Sequence, residues 1–244
     1  MIKKVEGLII RDLDYGDTSK IIYLLTKEYG QLSVIAKGVK SLKSKLRGVT
    51  MKLTYGYFHI YYKEDKLSIL AEVDVIDNLL VIKKDLTRLS YASFICNLVG
   101  QVIKQAKEEE KEVIYTSFIN SLLKINEGYD PLVITNILEF KLLDYLGVKP
   151  IIDRCVKCGN TNSIVTISSR DSGFLCSKCY QNETLISSKS IKFLRMFSYL
   201  DIAKISKLKI SEEVKHEINN FINIYYQEHT GLYLDSKNFL EEIK

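Results

Sequence analysis

Short runs rich in Ile, Val, Leu, Thr and Tyr, each closed by turn residues, fill the first 78 positions. They predict strands over Val5–Arg11, Lys20–Thr26, Gln31–Lys37, Met51–Tyr62 and Leu67–Val75. Asp14-Tyr15-Gly16-Asp17 and Glu28-Tyr29-Gly30 supply the first two turns and Lys63-Glu64-Asp65-Lys66 the last, so neighbouring strands can pair as antiparallel hairpins. The third gap, residues 38–50, is long and basic. A flat five-stranded sheet would leave two apolar edges open, whereas a small closed barrel leaves none. A five-stranded OB-fold barrel is therefore the expected fold of residues 1–78.

From about residue 79 the apolar spacing lengthens to three and four, the helical period. Leu86, Leu89, Phe94, Leu98 and Val102 mark one stripe and Val113, Ile114, Phe118, Leu122 and Ile125 another; both are expected to face a core. The clearest helix opens with Asp130 as N-cap and Pro131 in first position, and stops at Gly147 with Pro150 beyond. Its stretch Leu138–Leu146 is predicted amphipathic. Helical pattern returns over Ser190–Leu200, over Ser211–His229 with Glu212 and Glu213 in the first turn, and over Asp235–Ile243. Residues 151–186 interrupt this pattern as an inserted module. The expectation is an α+β multidomain chain: a barrel at 1–78, a first helical part at 79–150, the module at 151–186 and a second helical part at 187–244.

The module carries four of the five cysteines. Cys155-Val156-Lys157-Cys158 and Cys176-Ser177-Lys178-Cys179 make C-x2-C twice, 17 residues apart. Two residues between paired thiolates let both sulfurs of a tight turn aim at one tetrahedral ion, and Gly159 lets the backbone double back beneath it. Four thiolates fill a zinc coordination shell, so the expected cofactor is one structural Zn2+ on Cys155, Cys158, Cys176 and Cys179. A redox dithiol and an oxidation-sensitive zinc switch are the competing readings. The fifth, Cys96, sits in an apolar helical stretch and reads as a core residue.

Charge is unevenly placed. The 244 residues carry a net charge of +5, yet residues 1–63 hold 12 Lys/Arg against 5 Asp/Glu, so an anionic partner is expected at the N-terminal third. Lys37, Lys40, Lys43, Lys45 and Arg47 stand between the third and fourth strands with no acidic residue among them. Such a loop can follow a phosphate backbone and release its counterions, or be an ordinary solvated loop. On the fourth strand Tyr55, Tyr57, His59 and Tyr61 fall on one face, with Phe58, Ile60 and Tyr62 on the other, which reads as barrel interior. The tyrosine face, Tyr57 at its centre, can stack bases or pack against helices.

Other classes drop away. Composition, 46% hydrophobic and 27% charged with two prolines, is that of a globular chain, not a disordered one. No apolar run approaches the roughly 20 residues of a membrane helix, and the N-terminus has no export leader, so a cytoplasmic protein with reduced thiols is expected. The sequence contains neither a G-x4-G-K-[ST] nucleotide loop nor H-E-x2-H, and His59, His216 and His229 lie far apart beside no nucleophile pattern. A non-enzyme that binds no nucleotide is expected.

Residues and their order resemble the RecO family of bacterial recombination mediators. The likeness runs through Glu6-Gly7-Leu8-Ile9-Ile10-Arg11, Asp14-Tyr15-Gly16-Asp17-Thr18, the stretch 30–38, and Lys45-Leu46-Arg47-Gly48. It continues through 138–147, Pro150, the cysteine quartet and Ser236-Lys237-Asn238-Phe239-Leu240. The resemblance implies an OB domain followed by a helical domain with an inserted zinc finger. It also implies a role in DNA repair and homologous recombination, in which the protein binds single- and double-stranded DNA and anneals complementary strands without ATP. With RecR, such a protein helps load RecA onto strands coated by single-stranded DNA-binding protein, whose C-terminal tail it takes in the helical domain. The resemblance makes Lys37, Lys40, Lys43, Lys45 and Arg47 the best DNA-contact candidates. The rival reading is a protein-interaction adaptor whose zinc module is a docking knob.

Overall fold

Val5 and Ile9 point one way along the first strand and Lys4 and Glu6 the other, and that alternation curls the sheet around an apolar interior. The computed structural model describes residues 2–64 and 66–234. Strands β1 (Ile2–Tyr15), β2 (Ser19–Thr26), β3 (Gly30–Ala36), β4 (Tyr55–Tyr61) and β5 (Ser68–Asp77) close into a barrel in the order β1-β2-β3-β5-β4. All pairings are antiparallel except β3 with β5, which run parallel at Val34–Ser68 and Ile35–Ile69 and complete the ring. This is the OB arrangement. Val5, Ile9, Ile22, Leu24, Val34, Phe58, Ile60 and Leu70 fill the interior. At one end the Lys3 ammonium lies 4.0 Å from the Tyr62 ring centroid and 4.7 Å from that of Tyr29, a cation over two aromatic faces.

Two strands differ from expectation. β1 is twice as long as Val5–Arg11 because it serves two partners: Ile2–Leu8 pair with β4 and Gly7–Tyr15 with β2, and a bulge between Ile9 and Arg11 turns it from one to the other. Its far end looked like a turn because aspartate is rare in strands, yet Lys20 and Lys40 hold Asp12 and Asp14 at 2.6 and 2.9 Å. β4 starts at Tyr55, not Met51. Leu53 is left-handed (φ 63°) and buried, its N–H donates to the Ile9 carbonyl at 2.8 Å, and the Ile9 N–H donates to Thr54 at 3.0 Å. The end of the β3–β4 connector is thereby fastened onto the β1 bulge.

Gly56 shows how closely β4 and β5 approach where their pairing shifts register. A β-carbon there would lie 2.4 Å from the Asp74 carbonyl oxygen, a contact that only backbone movement relieves. Gly56→Ala is expected to destabilise the protein by about 1–3 kcal/mol, the usual cost of overpacking, read as a lower urea midpoint. An unchanged midpoint would mean that the two strands yield there.

Helices α1 (Leu80–Lys83), α2 (Leu86–Val102) and α3 (Glu108–Asn126) belong to the same compact unit as the barrel, and α2 packs along β1. Asp85 caps α2 through the Arg88 N–H at 2.9 Å, and the Arg88 guanidinium reaches the Ile125 carbonyl of α3 at 2.7 Å. Both stripes face the core except for Leu86 and Val113, which are exposed. Leu86 is the first residue of its helix, outside the packed turns, and Val113 lies one step off the face that Ile114 buries.

The second compact unit spans Tyr129–Tyr233, so compactness divides the chain at residue 128, inside the stretch 79–150. It comprises α4 (Pro131–Tyr145), a hairpin of β6 (Ile164–Ser168) and β7 (Gly173–Cys176), α5 (Ser188–Tyr199), a short 3-10 turn at Ile202–Lys204 and α6 (Glu212–His229). Asp130 accepts from the Val133 N–H at 3.1 Å and Gly147 is left-handed, so both punctuation signals hold. The expectation of an amphipathic α4 does not: Val133–Phe140, Leu142 and Leu143 are all buried, polar Thr135, Asn136 and Glu139 included. α5 and α6 flank it, with the Phe140 and Phe197 rings edge to face at 6.3 Å and the Tyr226 hydroxyl donating to the Glu139 carbonyl at 2.8 Å. The helix expected over Asp235–Ile243 lies outside the described residues, as does the stretch 236–240. No helix among the described residues is long and apolar enough to cross a membrane.

Candidate metal centre and nucleic-acid interface

Two tight turns build the cysteine cluster. In the first, the Gly159 N–H donates to the Cys155 carbonyl at 2.8 Å, and the left-handed Gly159 (φ 74°) sends the chain back beneath the sulfurs. In the second, the N–H groups of Cys179 and Tyr180 donate to the Cys176 carbonyl at 3.0 and 2.9 Å. Cys176 ends β7, and Val156 donates to the Phe174 carbonyl at 2.9 Å, so the hairpin carries one turn and clasps the other. All four sulfurs lie within 4.8 Å of one another, and Cys158 and Cys176 are 3.6 Å apart. Four thiolates about 2.3 Å from a tetrahedral ion would stand about 3.8 Å apart.

Ionisation of the four is unequal. Burial pushes the Cys155 thiol up, but the backbone N–H groups of Cys176, Cys158 and Lys157 outweigh it and bring the thiol to about 6. The hydrogen bond with Cys158 pushes Cys179 up to about 12, with burial adding to it. Four negative sulfurs at this spacing repel, and a cation at their centre removes the conflict. The donor set therefore fits a metal ion and leaves no protein position open for a catalytic water. Cys96 lies elsewhere, buried in α2, where burial raises its thiol to about 12.

On the barrel, the β3–β4 connector is a series of turns anchored from beneath by Val39 in the core and Leu46 against it. That anchoring turns Lys37, Lys40, Lys43, Lys45 and Arg47 outward, and all five are exposed. Lys40 is tied to Asp14, whose carboxyl the hydrogen bond and charge of Lys40 hold below the usual range. Lys37, Lys43, Lys45 and Arg47 make no ion pair with any described residue. One connector thus presents four uncompensated cations on a fixed frame.

The alternation expected of β4 is present: Phe58 and Ile60 are interior, and Tyr55, Tyr57, His59 and Tyr61 share the outer face. That face has two ends. The Tyr55 hydroxyl donates to the Glu6 carboxylate at 2.7 Å, beside the buried Tyr115 of α3, whose phenol burial and the nearby Glu6 push up. Further along, the Lys4 ammonium covers Tyr57 at 4.4 Å, His59 meets Asp74 at 2.9 Å, and Tyr61 is 48% exposed. One end packs while the other faces solvent.

His229 is hydrogen-bonded to the Ser169 carbonyl at 2.9 Å and stacked on Tyr225, and His216 lines a groove of about 720 Å³ floored by Ile167, Phe221 and Ile224. Sequence reasoning missed that groove, and also a polar one between the barrel and α2. The signal for the latter is Ser93, Asn97 and Gln101, a polar line at i, i+4 and i+8 on an otherwise buried helix.

Comparison with known proteins bears on both candidate sites. Residues 1–79 match the family described as Recombination protein O N terminal and residues 83–238 match Recombination protein O C terminal. A "DNA repair protein RecO" of Bacillus subtilis is 34% identical over 247 residues, covering 100% of this chain and 96% of the relative. The proteins of that name from Halalkalibacterium halodurans and Listeria monocytogenes are 33% and 32% identical, covering 100% and 99% of this chain and 96% and 95% of theirs. The barrel with its basic connector and the helical unit with its cysteine cluster each fall inside a matched half, and the chain belongs to the RecO family of DNA repair and recombination proteins.

Proposed function

We propose that the protein is a recombination mediator that binds single- and double-stranded DNA through the barrel, residues 1–78. It anneals complementary strands without ATP and, with RecR, assists loading of RecA onto strands coated by single-stranded DNA-binding protein, whose C-terminal tail it engages. Lys37, Lys43, Lys45 and Arg47 contact phosphates, Lys40 joins them when it leaves Asp14, and Tyr57 lies on the face available to bases. Cys155, Cys158, Cys176 and Cys179 hold one structural Zn2+, which cross-links the module and takes no part in DNA chemistry. The protein acts on the cytoplasmic nucleoid and performs no covalent step.

The observation that carries the reading is the connector itself, four uncompensated cations fixed to an OB barrel by Val39 and Leu46. Annealing needs no more than this surface and base pairing. Two strands repel through their phosphates; cations lower that repulsion and raise the local strand concentration, while pairing supplies the free energy. The deciding experiment anneals complementary fluorescent oligonucleotides, precoated with the cognate single-stranded DNA-binding protein, without ATP over a salt series. Annealing that fades as salt rises is expected. Tight binding to the coating protein with no annealing would replace the mediator by an adaptor.

Asp14 restrains one of the five cations. Asp14→Asn is expected to release Lys40 and steepen the single-strand salt slope by about 0.7, one phosphate contact. Acid reaches the same state only below the ordinary carboxylate range, because Lys40 depresses the folded pKa of Asp14: the tie persists through that range and is lost as pH falls below it. An unchanged slope in the variant would place Lys40 outside the DNA path.

A further inference from the structure

The groove between the barrel and α2 gathers cations and amides on one concave surface. It holds about 550 Å³ and is lined by Arg11 of β1, Gln31 of β3, Lys52 at the end of the connector, and Asn97, Gln101 and Lys104 along α2 and just beyond it. No carboxylate lines it, and none pairs with Arg11, Lys52 or Lys104 among the described residues. Several cations of the same unit are answered, Lys4 by Asp74, Lys20 by Asp12, Lys27 by Glu112 and Lys111 by Glu108, so the groove shares its lack of counter-charge with the connector and not with these positions. Here Lys52 donates to the neutral Ser93 hydroxyl at 3.0 Å, and Arg11 lies over the Tyr23 ring with its charge unneutralised. Three positive charges gathered around a concave surface without a counter-charge attract an anion.

The amides narrow the class of anion. Asn97 and Gln101 are hydrogen-bonded to each other, which fixes both side chains, and Gln31 approaches from the barrel wall near Gly100. Amides offer donors and acceptors together, the complement of a base edge, while the cations suit phosphates. The volume lies within the roughly 300–1,000 Å³ of sites that take one small-molecule-sized group, room for a nucleotide or two and not for a duplex. The Leu53 and Ile9 hydrogen bonds fasten the connector end beside the bulge next to Arg11, so the chain carrying the exposed loop cations leads directly to Lys52.

We propose that this groove is a second nucleic-acid site, one that seats a short stretch of single strand with its phosphates on Arg11, Lys52 and Lys104 and a base against Asn97 and Gln101. It rests on the DNA-binding reading above and adds to it a position that distinguishes single strands from duplex. A strand held there presents its neighbouring bases unpaired to a second strand on the basic connector.

The test compares a single-stranded oligonucleotide and a duplex of equal length, binding the full chain over a salt series. Lys52→Gln with Lys104→Gln is expected to lower the single-strand salt slope by about 1.4 and to weaken single-strand binding about 25-fold at 0.1 M salt, from two lost contacts. Duplex binding should stay within twofold. Lys104→Gln alone, at an exposed position where folding is not in question, should remove about 0.7 of slope. Asn97→Ala with Gln101→Ala should weaken single-strand binding several-fold at unchanged slope. Unchanged slopes in the lysine variants, or equal losses on duplex, would overturn the proposal. So would loss of binding to an acidic peptide with single-strand affinity intact, which would give the groove to a protein partner. A parallel variant of the connector, Lys43→Glu, Lys45→Glu and Arg47→Glu, separates the two readings. If it loses salt-dependent binding while the groove variants do not, only the groove fails; if the unaltered protein shows no salt-dependent binding, the DNA reading fails with it.

Discussion

Cys176→Ser is expected to reduce bound zinc from one equivalent to none and to unfold residues 151–186, while the barrel stays folded. The reason is the size of what would remain. The buried cluster around the turns consists of Cys155, Leu175 and Cys176, with Val156, Ile164 and Cys179 partly buried against it. Burying one leucine stabilises by about 1.5–3 kcal/mol, whereas a structural zinc in a small module contributes about 10–16 kcal/mol of apparent binding energy at neutral pH. Apolar burial on this scale cannot hold the two cysteine turns together in place of an ion, and Ile152, Ile167 and Phe174, buried in the same segment, lie outside that cluster. The barrel has its own interior, lined by Val5, Ile22, Phe58 and Ile60, and belongs to a different compact unit. Metal content by atomic emission and amide exchange resolved by segment would read the two effects separately. A full equivalent of metal in Cys176→Ser would overturn the ligand set, and exchange spreading into β1–β5 would show that the barrel depends on the module.

What could be read from the sequence was whatever depends on neighbours along the chain. Asp130, Pro131 and Gly147 bound α4 because capping is a matter of a few adjacent residues, and the sulfurs within each C-x2-C pair come together because each pair is a single tight turn. Phe58 and Ile60 separate from Tyr57 and His59 by simple alternation. Features set by distant partners were not legible in the same way. Asp12 and Asp14 sit in a strand with their charges answered by Lys20 of β2 and Lys40 of the connector, partners that lie further along the chain. Leu53 adopts a left-handed backbone because the β1 bulge offers it a hydrogen bond and a buried seat. α4 buries its polar side as well as its apolar one, since α5 and α6 flank it, and no local pattern announces that. The barrel–α2 groove draws on β1, β3, the connector and α2, so its chemistry becomes visible only once the chain is folded.

The connector joins the two kinds of information. Its charge is evident in the sequence, but whether the charge is available depends on the fold, which pairs Lys40 with Asp14 and leaves its four companions without partners among the described residues. The same fold explains why such a loop can be selective in placement without being selective in sequence. Phosphate contacts fix position and carry no base information, so on the proposed reading the connector holds strands of any sequence.

Lys43→Glu, Lys45→Glu and Arg47→Glu together are expected to abolish most single-strand binding at physiological salt. Loss of three phosphate contacts flattens the salt slope by about 2.1 and weakens binding about 100-fold at 0.1 M salt. Reversing the charge adds repulsion to that loss. The three side chains are exposed and the connector is held by Val39 and Leu46, which are untouched, so thermal stability should change by no more than the roughly 0.5 kcal/mol usual for surface substitutions. Binding measured by fluorescence anisotropy between 50 and 300 mM salt should show losses of similar size for oligonucleotides of different sequence, because the contacts are to backbone. Annealing of coated strands should fall in parallel, since both strands must be held against their mutual repulsion. If affinity and slope were unchanged, the connector would be a solvated loop and the DNA surface would have to lie elsewhere on the barrel. If affinity fell for some sequences and not others, the contacts would be to bases, and annealing by charge neutralisation alone would no longer account for the proposed activity.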